Sequence, residues 1–172
     1  MKRQATRHEN CTGAANLLLL ALMLGCFLLP PHLNAAAVGP DAETNAFDPY
    51  EASILELQLA MATGRLTARS LTEFYLGRIG RYDQRGPALN SMAFINEQAL
   101  AEAGRLDAER ITSGPRGPLH GIPIVVKDNY ETEGMPTTAG SRLVHGCSPD
   151  HDAHLVARLK AAGALILGKT NM

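Results

Sequence analysis

Two short apolar runs constrain this chain most: Ile122-Pro123-Ile124-Val125-Val126, closed by Lys127, and Ala164-Leu165-Ile166-Leu167. Each has the length of a strand, and a helix-type segment, Asp152 to Ala162, leads into the second run through Gly163, a glycine in the usual place after a helix end. Leu155, Leu159 and Ala162 recur at helical spacing in that segment and are expected to face inward. Strand, helix and strand in this order make a βαβ-like unit, an α/β arrangement whose parallel strands are covered by helices and buried on both faces.

The upstream text supplies the covering layers. Ile54, Leu57 and Met61 recur at i, i+3 and i+7 with Leu55 and Leu59 beside them, so Ser53 to Thr63 reads as an amphipathic helix ended by Gly64. Thr67 then looks like an N-cap, and Leu71, Tyr75, Ile79 and Tyr82 share one face before Gly86-Pro87. A short strand, Met92 to Ile95, precedes an alanine-rich helix over 97–111 that stops at Ser113-Gly114-Pro115. The long loop from Tyr130 to Pro149 carries glycines, threonines and Pro136; loops of that length inside a domain are more often functional than idle.

The first 37 residues read differently. Lys2, Arg3 and Arg7 precede an apolar run from Leu17 to Leu29, then Pro30-Pro31 and the small residues Ala35-Ala36-Ala37, the pattern of a secretory signal peptide. A retained anchor is the competing reading, but the run falls short of the roughly 20 residues that span a bilayer. The expectation is export to the periplasm or the extracellular space, with no stable membrane span after cleavage. Residues 38–50, with Pro40 and Pro49, read as a loosely held extended arm, and 51–172 as the folded part. Cys11 and Cys26 leave with the leader, so Cys147 remains alone and no internal disulfide is available. A formal charge of -1, with both signs mixed along the chain, gives no basic stripe for nucleic acid.

Lys127 is the residue that asks for an explanation. The carboxyl end of a strand in an α/β sheet is where such folds place ligands, and a partly desolvated lysine can accept a proton from a serine hydroxyl. On position alone the alternative is a strand-end lysine that reaches water or pairs with Asp128. His145, Cys147, His151 and His154 crowd into ten residues, but their spacing matches no common zinc pattern, and a polar loop running into a helix accounts for them. Cys147 as a nucleophile lacks any pattern that names its histidine.

Three stretches in order, GPLHGIPIVVKDN, MPTTAGSRLV and PDHDAHLVARLKAAGALILGKTNM, closely resemble the amidase signature family, hydrolases that cleave carbon-nitrogen bonds of amides. The resemblance spans roughly Glu51 to Met172 and is dense after Gly117. It implies a mixed sheet covered by helices on both sides, of which this is the N-terminal portion. It further implies no cofactor and no metal, a small amide or peptide-amide substrate, and Lys127 as the lysine of a Ser-Ser-Lys triad. In that chemistry one serine attacks the carbonyl, a second relays its proton toward the lysine, and backbone amides hold the oxyanion.

By the same resemblance both serines belong to a Gly-Ser-rich segment after the GKTN motif, and the sequence ends at Met172, directly after Lys169-Thr170-Asn171. On that resemblance, neither serine is expected among these 172 residues. Ser141 in TTAGS is the tempting substitute, but the family gives that segment an architectural part. Lys169 is read as structural or as lining the site. The expectation is therefore an amidase-family chain without turnover of its own, and poorly soluble because Leu165 and Leu167 would be uncovered at an open sheet edge. A non-catalytic binding remnant is the second reading. The A subunit of the glutamyl-tRNA amidotransferase, a relative within the family, is a lesser one that the signal peptide opposes.

Overall fold

The computed structural model describes residues 47–172; the leader and most of the arm expected over 38–50 lie outside the described residues. In chain order the elements are α1 (Ile54–Ala62), α2 (Ala68–Tyr82), β1 (Met92–Ile95), α3 (Ala99–Ser113), β2 (Pro123–Lys127), α4 (His154–Ala161) and β3 (Leu165–Thr170), with a 3-10 turn at Arg142–Val144. The last residues of the arm are held rather than loose. Pro49 is buried, Phe47 packs on the core, and the guanidinium of Arg78 lies 4.8 Å from the ring centre of Tyr50.

Helix starts follow local chemistry. Ser53 caps α1 in a reciprocal box with Glu56, and Thr67 caps α2 with Ser70; such caps contribute about 1 kcal/mol each. Asp107 of α3 adds two more acceptors for α2, taking the N–H of Ala68 at 2.7 Å and of Arg69 at 3.0 Å. The inward face of α1 is Leu57, Ala60 and Met61, while Ile54, Leu55 and Leu59 are exposed. The apolar count around this helix exceeds what one face can bury, so Leu55 and Leu59 stay in water.

Among the described residues three strands form one sheet in the order β1-β3-β2. β3 runs antiparallel to β1 and parallel to β2, so the sheet is mixed, with β3 bonded on both sides. One face carries α1, α2 and α3 over a core of Leu57, Leu71, Ala103, Leu106, Leu165 and Leu167. The other carries α4 and the 130–149 loop over Val126, Met135, Val156 and Ile166. Leu165 and Leu167, expected to be uncovered, are only 1% and 3% exposed because the helical layer of α1 to α3 closes over them.

Two further expectations change. α4 turns Val156 inward and leaves Leu155 exposed, since the helix begins at His154 and Asp152 is occupied in binding the N–H of Glu133 and the ammonium of Lys160. Among the described residues β2 lies at the edge of the sheet, and Val125 is half exposed there. β3 also runs further than its apolar letters, through Gly168 and Lys169 to Thr170. Its register shifts between Ile166 and Gly168 against β2. Such a bulge re-aims the side chains beyond it, and here Lys169 comes to lie beside Val126 on the same face as Ile166, three residues back. Gly168 makes the close approach possible: a Cβ there would sit 2.5 Å from the carbonyl oxygen of Phe94.

Candidate functional site

The carboxyl ends of the parallel pair β2 and β3 lie side by side, Lys127 opposite Thr170. Alternation along a strand sends neighbouring side chains to opposite sides. Val126 and Asp128 are accordingly buried, and Lys127 between them is exposed. Its ammonium donates to the carbonyl oxygen of Asn171 at 3.4 Å. The Lys127–Asp128 pair considered from sequence does not form, because Asp128 is taken by a different lysine.

That lysine is Lys169, with no exposed surface at all. Its Nζ lies 3.2 Å from Asp128 Oδ1 and donates to the Pro136 carbonyl at 3.0 Å and to the Thr137 hydroxyl. Asp128 in turn accepts from the backbone N–H of Thr138 at 3.2 Å and from the Thr138 hydroxyl. Burial pushes the Asp128 carboxyl up, but the hydroxyl and N–H of Thr138, together with Lys169, outweigh it and hold the group below its ordinary value. Lys169 is lowered, first by burial, against the opposing pull of Asp128 and, further off, Glu131. A buried, fully hydrogen-bonded pair thus fastens Pro136, Thr137 and Thr138 to the strand ends.

The loop then turns back on itself. The Ala139 N–H donates to the Asp128 carbonyl at 3.2 Å, and Ala139 and Gly140 both take positive φ, 48° and 72°. Ser141 caps the 3-10 turn, its hydroxyl accepting from the Leu143 N–H at 3.3 Å. It serves the turn, in keeping with an architectural part for that segment. His145 and Cys147 are exposed further along the loop, His154 opens α4, and His151 lies between Asp150 and Glu131. Among the described residues, no three His, Cys, Asp or Glu side chains come together in a way that could hold a metal ion.

Sequence reasoning named Asp128 only as a partner for Lys127 and did not single out His120. His120 is fully buried; its Nδ1 accepts from the Arg116 N–H at 3.3 Å, so its Nε2 donates to the Leu106 carbonyl at 2.9 Å. Gly163 presses against this ring, and a Cβ there would lie 2.7 Å from Nδ1. The signal for Asp128 was the strand's own alternation: a buried Val126 places the residue two further on beneath the same loop. A cleft of about 380 Å³ lined by Glu102, Arg105, Glu109, Arg116 and Lys160 does not include Lys127, and its Arg116 is already held by Glu109.

Residues 70–172 match the family model Amidase. The native peptide amidase from Stenotrophomonas maltophilia superposes with a TM-score of 0.70 at 47% identity, over 72% of this chain and 26% of that one. An amidase family protein from Bacillus anthracis superposes at 0.68 with 45% identity, over 71% and 24%. The A subunit of the glutamyl-tRNA(Gln) amidotransferase of Streptomyces avermitilis is 44% identical over 117 residues, 68% of this chain and 23% of that protein. The chain thus spans about a quarter of the length of the relatives it matches. No helix among the described residues is long and apolar enough to cross a membrane. The match takes in α2 from Ser70 and every element after it, including both strands whose ends carry the two lysines, and this chain belongs to the amidase family.

Proposed function

We propose that the protein is an amide hydrolase in which Lys127 is the terminal base of a Ser-Ser-Lys relay. The observation that carries this reading is the contrast between the two lysines at the strand ends. Lys169 is spent on a buried pair with Asp128, whereas Lys127, one residue before that anchor, is exposed and, among the described residues, bound to a single carbonyl oxygen. A lysine held at the carboxyl end of a parallel strand, beside a loop fixed by its neighbour, is suited to receive a proton from a hydroxyl brought to it.

In the relay one serine attacks the amide carbonyl, its proton passes through the second serine to Lys127 and is handed back to the leaving nitrogen, the amine departs, and water frees the acyl group. By the family resemblance both serines belong to the segment after GKTN, so the reaction is proposed for the protein carrying that segment. Residues 1–172 on their own are expected to release no ammonia. The substrate class proposed is a small amide or the terminal amide of a peptide, supported by the 47% identity to a peptide amidase. Export is proposed with it, on the strength of the leader pattern in residues 1–37.

A second reading, the A subunit of an amidotransferase, is favoured by the 44% identity to proteins of that name. The test is ammonia release from C-terminally amidated peptides, set against glutamine as the alternative amide. With the Gly-Ser-rich segment present, Lys127→Ala should lower turnover by orders of magnitude while the circular dichroism spectrum stays unchanged. Near wild-type rates in that variant would remove Lys127 from the mechanism, and release from glutamine alone would favour the second reading.

A further inference from the structure

The segment that follows Asn129 is fastened to the start of α4 at three points. The Ala153 N–H donates to the Glu131 carbonyl at 2.8 Å, and the Glu133 N–H donates to Asp152 Oδ1 at 2.9 Å. The third is the His151 ring, with Nδ1 2.8 Å from Asp150 Oδ1 and Nε2 3.1 Å from Glu131 Oε2. Ionised carboxylate oxygens only accept, and a neutral imidazole carries one N–H. Both contacts can therefore be hydrogen bonds only when both ring nitrogens are protonated. We infer that His151 is a proton-operated clasp, closing the first turn of the 130–149 loop onto α4 when charged and loosening it when neutral.

The charges around the clasp favour the closed form. Glu131 and Glu133 come from the loop, Asp150 and Asp152 from the histidine's own segment, and Lys160 from α4, where Asp152 holds its ammonium at 2.8 Å. His151 is raised from its ordinary value, first by its contact with Asp150 and next by the charge of Glu131. The sign follows: a raised histidine holds the clasp fully closed below about pH 6.5, and the hold is lost as the pH climbs through the raised value. Glu131 also exerts its charge on the buried Lys169, so the clasp lies within electrostatic reach of the pair that anchors Pro136 to Thr138.

This inference does not rest on the amide-hydrolase reading, and its test reads backbone protection instead of turnover. In the whole chain, the His151 titration and the hydrogen exchange of the Ala153 and Glu133 amides are followed by NMR from about pH 5 to about pH 9, bracketing the ordinary histidine value. After correction for intrinsic exchange, protection of these amides should fall across the His151 titration by up to about fivefold, the range of an exposed ion pair such as His151–Glu131. His151→Gln should flatten that dependence, His154→Gln should keep it, and Glu131→Gln should move the His151 titration down. Protection that ignores the His151 titration, or a dependence that survives in His151→Gln, would overturn the clasp.

Discussion

Replacing Asp128 by Asn removes one charge from the buried pair and turns one of its two accepting oxygens into an NH2 donor that faces the Lys169 ammonium or the Thr138 donors. Lys169 would keep the Pro136 carbonyl and the Thr137 hydroxyl, but its ammonium, with no exposed surface, would lose the only carboxylate bound to it among the described residues. Removing one partner of a buried pair typically costs about 3–5 kcal/mol. The two remaining acceptors on Lys169 argue for the lower end, about 3 kcal/mol. With a urea slope of about 1–1.5 kcal/mol/M for a domain of this size, the midpoint should fall by about 2–3 M. The double variant Asp128→Asn/Lys169→Met should cost less than the sum of the single changes, with a coupling of about 1–3 kcal/mol. Acid should report the same pair. Asp128 is depressed, so its contribution is present above the ordinary carboxylate value near 3.9 and is lost as the pH falls through the lower folded value. The acid limb of the stability profile should therefore flatten in Asp128→Asn. A loss below about 1 kcal/mol, or strict additivity in the double variant, would refute the claim that the pair anchors the loop.

Two other substitutions test the packing. Gly168→Ala drives a Cβ to 2.5 Å from the Phe94 carbonyl oxygen and 2.8 Å from Met92 Cε; a loss of about 2–3 kcal/mol is expected from overpacking against backbone, and an unchanged thermal midpoint would count against the register described for β3. Val156→Ala should cost about 2 kcal/mol, because Val156 is fully buried, while Leu155→Ser should stay within about 0.5 kcal/mol; the reverse order in denaturant unfolding would restore the inward face read from the periodicity.

Much of the architecture could be read in the letters. The strand at Met92 to Ile95, the N-cap at Thr67, and the parallel β2–α4–β3 unit all follow from patterns that local sequence controls. What escaped depends on partners distant in the chain. Leu155 and Val156 compete for the inside of α4, and the choice is made by where Asp152 finds its donors in Glu133 and Lys160. Val125 looks as buried as its neighbours until the sheet order among the described residues places β2 at the edge. The candidate site divides in the same way. Lys127 stands out because a charge ends an apolar run, whereas the burial of Lys169 needs a bulge and a carboxylate 41 positions earlier, neither of which local periodicity encodes.

The position of β3 between β1 and β2 also says where the chain can change length. One residue added within Leu165–Thr170 would shift two ladders at once and swing Lys169 away from Asp128. A residue added to the exposed stretch from Arg142 to Ser148 would meet neither ladder and no core side chain. Variation in length among relatives of this chain should therefore gather in that stretch, and the six residues of β3 should keep their number even where their identities drift.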